Sequence, residues 1–592
     1  MARLPGPGER AKAAWMSAPR LFLALLAAAS LAACATRPAA TLSSAAPPAP
    51  APPPPNVSPF GLYLAGHTAA DQGRLSTAFA YLDRAAEAAG DPMYLKVRAF
   101  NAALRAGDVS AAAALAPDGP DAPAPARRLG LLVKGVEAMS LGNDKAAYAL
   151  LTSPELAYPF RSAAILLAPF AAAGMRDGAH ATARSDAEGD PVIQFVADLD
   201  QAQLDERMGH RKAAETAYKA LMAVGDASGL VRLAYGAFLE RRGRENAAIA
   251  LYRERLDESP GDPSFQAALA RALKHGRPPP LPSLRQGASE ALLILAAGLI
   301  AEKQQMLALE YLRLALRLDP ANNGAWVLIG DLLAPVDVEA ARDAYVRIPP
   351  SSEQYVEARD KLAWTYQSAG DRDTALKFAR ETASAAPSSR DAAVTLADLL
   401  RDDGHYAESA ALLTRLIETA GDQPDWRLYY LRAAAYESQG DNAATETDLE
   451  AALKLAPDEP ELLNFQGYFW IDRGRHLNEA LAMVQRASDA EPESGEIMDS
   501  LGWAYYKLGD YKTALEKLEE AASLAPAVPE VNEHLGEAYW RVGRKLEAEF
   551  AWRRVLTLDP DPKLRARVEA ELASPLGPDA PLLPAPTAAN HP

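Results

Sequence analysis

The feature that most constrains this chain is a period of 34 residues. Gly502 and Gly536 are 34 apart, as are Ala514 and Ala548, Pro492 and Pro526, and Pro526 and Pro560. Each unit repeats one plan. A helix-spaced apolar run carries Leu501, Gly502 and Tyr505, or Leu535, Gly536 and Tyr539. A turn follows at Gly509 or Gly543, and a second run carries Ala514, Leu518 and Ala521, or Ala548, Trp552 and Val555. A proline then closes the unit. The small residues let two helices cross closely, the turn glycine supplies the positive φ needed after a helix end, and proline cannot continue the second helix. One such unit cannot bury its apolar face alone, so the chain must stack unit on unit.

Walking back along the turn glycines gives Gly543, Gly509, Gly474, Gly440, Gly404 and Gly370, then Gly243 and Gly209, then Gly142, Gly107 and Gly73. The steps within these runs are 34 to 36 residues. Leu292, Leu295, Ala308, Leu312, Ala315 and Pro320 fit a further unit whose turn position is Lys303. The unit from Trp326 and Gly330 is irregular, with Pro335 expected inside its first helix. The pattern resembles the tetratricopeptide (TPR) repeat, which implies an all-α superhelical solenoid of about 13 helix pairs. No strand-like alternation competes with it. The prolines of Gly276–Pro282 break the array. The expected organisation is a leader (1–33), a Pro/Ala-rich tether (34–57), an N-terminal solenoid (58–276) and a Pro-rich joint (277–288). A C-terminal solenoid with a capping helix (289–573) and a disordered tail (574–592) complete it.

The N-terminus reads as an address. Leu21 to Ala33 form an apolar run after Arg20 that ends in small residues. It falls short of the ~20 residues a bilayer span requires and fits the apolar core of a secretory signal. Leu31-Ala32-Ala33-Cys34 resembles the lipobox of bacterial lipoproteins, and Cys34 is the chain's single cysteine. The resemblance implies acylation of the Cys34 thiol and cleavage before it. An ordinary signal peptide with an incidental cysteine is the competing reading. Met16 to Cys34 is itself a complete signal of this type. Two or three acyl chains anchor stably where one binds reversibly. Ala35, rather than Asp, after the cysteine implies the outer membrane by resemblance to enteric sorting. The expected location is therefore its periplasmic face.

The net charge of -17 and pI near 5.1 argue against nucleic acid as a partner. The eight histidines form no HExxH or other metal spacing. There is no phosphate-cradling glycine loop and no GxSxG elbow. No constellation meets the requirements of an active site, so an enzyme is not expected, nor a cofactor or metal.

What remains is the inner wall of the solenoid. Fitted to the TPR plan, the inward positions include Asn464, Phe465 and Tyr468 in one unit and Asp499, Ser500, Trp503 and Tyr506 in the next. Glu533, His534, Glu537 and Trp540 follow in the third. Aromatic rings with polar neighbours are the composition of binding hot spots. Packing between helices is the expectation for Phe465 and exposure for Tyr506 and Trp540, with Tyr468 and Trp503 open to either. The paired Lys and Asn clamp of TPR co-chaperones is missing from this wall. The elements Asn464–Tyr468, Asp499-Ser500-Leu501-Gly502-Trp503 and His534–Glu537 resemble the large TPR outer-membrane lipoproteins of proteobacteria. Some of these serve as adaptors for periplasmic C-terminal processing proteases. The resemblance implies a membrane-tethered scaffold that presents substrates to a periplasmic serine protease. An assembly scaffold for an outer-membrane, pilus or polysaccharide-export machine needs the same features and stays open beside it.

Overall fold

The computed structural model describes residues 57–573, apart from 91, 186, 188, 224–228, 260–261 and 422–424. The leader, Cys34, most of the tether and the C-terminal tail lie outside the described residues. Those described form thirty helices and no strand, α1 (Pro59–Asp71) to α30 (Pro562–Ala573) in chain order. The fold is an all-α TPR solenoid. Fourteen antiparallel pairs account for all but Pro263–Leu273 and α30.

The repeat is written into the turns. Helix α26 (Gly495–Leu508) ends at Gly509, which takes φ 86°. Asp510 follows and caps α27 (Tyr511–Leu524), its carboxylate accepting the Thr513 N–H at 3.2 Å. The glycine satisfies the last carbonyls of one helix and the aspartate the first N–H groups of the next. The same Gly-Asp pair does this at Gly107-Asp108, Gly370-Asp371 and Gly440-Asp441. All eleven turn glycines identified by spacing have positive φ. Lys303 holds the equivalent turn at φ 62°, a conformation that costs a residue with a Cβ about 1 kcal/mol. The irregular pair resolves simply: its first helix, Asn323–Leu333, ends before Pro335, which lies in the turn.

The helices fall into two compact units, divided after Ala385. The sequence reading put a joint between solenoids at 277–288, and the structure corrects it. That stretch lies inside the first unit, where Arg241 donates to the Pro279 carbonyl at 2.9 Å and Arg207 to the Pro282 carbonyl. Beyond it, α14 (Leu284–Ala301) and α15 (Gln305–Leu318) do not simply extend the stack. They pack back on the first helices of four earlier pairs, α3 (Met93–Ala106), α5 (Ala124–Ser140), α7 (Arg161–Gly174) and α9 (Pro191–Arg207). The proline run stops one stack, but burial decides where the next helices go. Ala288, Ala291, Leu292 and Leu312 are shut away in the same core as Val133, Leu167 and Phe170. Gly287 permits the approach, since a Cβ there would sit 2.5 Å from the Phe170 ring. Helix α14 is long and apolar enough to cross a membrane, and here it is a core helix.

In the second unit each helix packs mainly on its neighbours and next neighbours along the chain. Its first helices include α22 (Trp426–Gln439), α24 (Pro460–Asp472), α26 and α28 (Pro529–Arg541). Helix α30 closes the end, burying Leu564 and Val568 on Ala548, Trp552 and Val555 of α29 (Lys545–Thr557). A terminal repeat without such a cover would leave its apolar face in water.

Candidate binding groove

The inner wall of a helical-pair stack is built from its first helices. In the first unit that wall is already covered by α14 and α15. The contact is apolar at its centre and charged at its edges. Arg317 makes a bidentate pair with Glu137 at 2.6 and 2.8 Å. Arg105 pairs with Glu310 at 3.0 Å, and Arg313 donates to the Arg105 carbonyl at 3.1 Å. Burial, with Arg347 nearby, lowers the Arg313 guanidinium to about 10. In the second unit the corresponding wall carries no such hairpin.

The residues expected on that wall lie on three of its first helices, Asn464, Phe465 and Tyr468 on α24, Asp499, Trp503 and Tyr506 on α26, and His534, Glu537 and Trp540 on α28. Side chains one repeat apart meet across neighbouring helices. His534 Nδ1 lies 2.8 Å from Asp499 Oδ2, both groups buried. The imidazole stacks on the Trp503 ring at 4.0 Å between centroids, and Trp503 stacks on Tyr506 at 4.5 Å. Arg541 donates to the Tyr506 hydroxyl at 3.2 Å, and Lys507 sits 4.8 Å over the Trp503 ring. Aromatic stacking adds about 0.5–1.5 kcal/mol per pair beyond burial, so this three-ring column clamps α28 to α26.

The structure corrects two expectations and sorts the rest. Tyr506, expected to be exposed, is buried, because Trp503 covers one face and Tyr511 meets its edge at 5.3 Å. Trp540, also expected to be exposed, is half-buried and tilts over Trp552 at 5.8 Å. Trp503 is buried within the column and Tyr468 is partly buried beside it. Phe465 turns towards α22 and meets the Tyr430 ring edge-on at 5.5 Å.

The wall is acidic. Glu533 pairs with Arg567 of α30 through two bonds of 2.7 and 2.8 Å. Burial, then the like charges of Asp472, Asp499, Glu533 and Glu530, pushes the Tyr468 hydroxyl up. Burial raises Glu537 and Glu530 above the usual carboxylate range. His534 shows two opposed effects. Burial disfavours its charged form, and the Asp499 carboxylate, with the Glu533 and Glu537 charges behind it, outweighs that, so its pKa is raised above 6.5. Three polar atoms of these residues are shut from solvent without a hydrogen-bond partner among the described residues, Asn464 Oδ1, Asp499 Oδ1 and Trp503 Nε1. Among the described residues no three His, Cys, Asp or Glu side chains gather as metal ligands would.

Sequence reasoning did not find the Asp499–His534 and Glu533–Arg567 bonds. The signal was available, since each pair is separated by one repeat length, 35 and 34 residues. It also did not find that the first unit covers its own wall.

Two tetratricopeptide repeat family models match the chain, over residues 285–560 and 199–263. A curated relative, the TPR repeat-containing protein PA4667 of Pseudomonas aeruginosa, is 34% identical over 85 residues. That match spans 14% of this chain and 14% of the relative's length. Among solved structures, the APC/C hetero-tetramer Cut9–Hcn1 is similar at 14% identity, covering 87% of this chain and 96% of that one with a TM-score of 0.36. Yeast Tom70 is similar at 12% identity, over 88% and 98%, with a TM-score of 0.31.

Proposed function

We propose that this tetratricopeptide-repeat protein is a membrane-tethered scaffold whose second unit captures a partner protein on its inner wall. The observation that carries the reading is the contrast between the two walls. One is covered by α14 and α15 of the same chain. The other combines buried aromatic rings with polar groups, the composition of protein-binding hot spots. The tether rests on the lipobox at Cys34 and the Pro-rich segment after it.

Within this reading the partner is a periplasmic serine protease and the scaffold presents substrates to it. Tethering both raises their effective concentration without new contacts. The support is the resemblance of Asp499–Trp503 and its neighbouring elements to TPR lipoprotein adaptors. The second reading, a scaffold for an envelope assembly machine, uses the same wall. The test is purification of the full-length chain from solubilised envelopes, followed by mass spectrometry. A co-purifying serine protease is the expected result. Secretin or export components in its place would support the assembly scaffold instead, and recovery of neither would overturn both.

A further inference from the structure

The last helix pair departs from the repeat plan on its outer side. Leu546 and Phe550 stand about one turn apart on α29 and are 69% and 67% exposed. Residues four apart on a helix are neighbours, so the two form one apolar patch. The repeat register puts Lys512 and Glu516 at these positions in α27, and Asn478 and Ala482 in α25 (Leu477–Ala490), all of them exposed. Stacking therefore asks for nothing apolar here, and an exposed apolar patch marks a contact surface. The buried side of α29, with Ala548 and Trp552, faces the opposite way. Helix α29 also borders the start of the tail. Helix α30 packs on it, keeps Leu572 in the cluster of Ala548 and Trp552, and ends at Ala573, so the chain beyond leaves beside α29.

The tail has a period of its own. Pro575, Pro578, Pro581 and Pro584 recur at every third residue. Proline breaks an α-helix, and polyproline II has three residues per turn. In that conformation the four prolines form one row, and Gly577, Ala580, Leu583 and Pro586 form a second. Neither row carries charge, and Asp579 falls in the third. We propose that Pro575–Pro586 lies in polyproline II across Leu546 and Phe550, its two uncharged rows on the patch and Asp579 turned to water. The reach suffices. At about 3.1 Å per residue Leu583 can lie about 31 Å from Ala573, and the path around half of a helix is under about 20 Å. Attachment selects this occupant over a second copy, because a segment joined at Ala573 acts at an effective concentration on the order of millimolar. A preformed polyproline segment also loses little entropy on docking against an aromatic ring. The contact lies within one chain, and it is independent of the scaffold reading.

The test is photo-crosslinking of the purified full chain with p-benzoylphenylalanine in place of Phe550, an exchange that keeps the aromatic surface. Unchanged helical circular dichroism checks the fold, and the same group in place of Leu546 repeats the measurement. Irradiation followed by proteolysis and mass spectrometry should join position 550 to a peptide from 574–592, in a product with the mass of one chain. The yield should stay constant on about tenfold dilution, as expected of a contact within one chain. Pro581→Gly with Leu583→Ser should cut it at least about fivefold, because the preformed conformation and its apolar row are both lost. A product with the mass of two chains would make a second copy the occupant and overturn the proposal. Crosslinks that miss the tail, or none at all, would leave the patch to water or to a foreign partner and overturn it equally. A tail crosslink that survives Pro581→Gly/Leu583→Ser at full yield would mean passing collisions of a nearby segment, and the docked strip would be refuted.

Discussion

At Gly502 a single hydrogen atom sets the distance between two helices. A Cβ there would lie 2.7 Å from Leu518 Cγ and 3.2 Å from its backbone nitrogen, and backbone cannot step aside. Gly502→Val should therefore cost ~1–3 kcal/mol of overpacking. Because each pair is supported mainly by its neighbours, hydrogen exchange should quicken in α26 and α27 and stay unchanged before Ala386. Exchange quickening throughout the chain would contradict that locality. His534 offers a second residue-scale measurement. Its pKa is raised above 6.5 in the folded chain because Asp499, aided by the Glu533 and Glu537 charges, outweighs burial. The raised value means that its contribution to stability is fully present below the unfolded value near 6.5 and is lost as pH rises through the folded one. The His534 Cε1 proton should titrate with a midpoint above 6.5 in the wild-type chain. In Asp499→Asn, where only the Glu533 and Glu537 charges still oppose burial, the midpoint should fall relative to wild type. An unchanged midpoint would remove Asp499 as the cause.

At the scale of elements, the hairpin α14–α15 behaves unlike the pairs around it. Its sequence carries the repeat plan at Ala308, Leu312 and Ala315, and these residues do pack within the core. Its partners also include helices more than a hundred residues earlier, so no window of one repeat could reveal them. The Glu137–Arg317 pair bridges that distance at 2.6 and 2.8 Å, with the arginine one-third exposed. Screening limits such a pair, so a double-mutant cycle of Glu137→Gln and Arg317→Gln should give a coupling of about 0.5–1 kcal/mol. Zero coupling would mean the two groups do not meet in solution. The aromatic positions show the same division at shorter range. Spacing put Trp503 and Tyr506 on the inner wall of α26. Only the neighbouring helix, which brings His534 to 4.0 Å from Trp503, decided that the rings stack and are buried.

For the whole molecule, the division after Ala385 changes where the chain can be cut. A truncation near Pro282 would strip α14 and α15 from the first unit and bare the apolar faces of α5 and α7. A chain of residues 386–573 should fold alone, with helical circular dichroism and a cooperative thermal transition, because its helices pack sequentially and α30 caps its end. A non-cooperative melt would show that the second unit depends on the first. The anchor is tested independently of the fold. Cys34→Ser should leave the precursor uncut and unacylated. Fractionation of that variant with outer membranes as a processed protein would end the lipoprotein reading.

The sequence by itself determined the class of fold, because the period of small residues and turn glycines admits only helices that cross closely and pack unit on unit. Gly502, Ala514 and Gly509 say this without a structure, since each answers a local steric demand that any stack of this kind imposes. It also carried the composition of the inner wall, because inward positions recur with the repeat. Only the tertiary structure decided that the proline run at Pro278–Pro282 folds back within a unit, and that α14 and α15 cover the first wall. The reason is that burial is non-directional: apolar residues such as Leu292 gain as much from a distant wall as from the next pair. For the same reason the structure alone distinguished Tyr506, sealed beneath Trp503, from Glu537 on the next first helix, which is only partly buried.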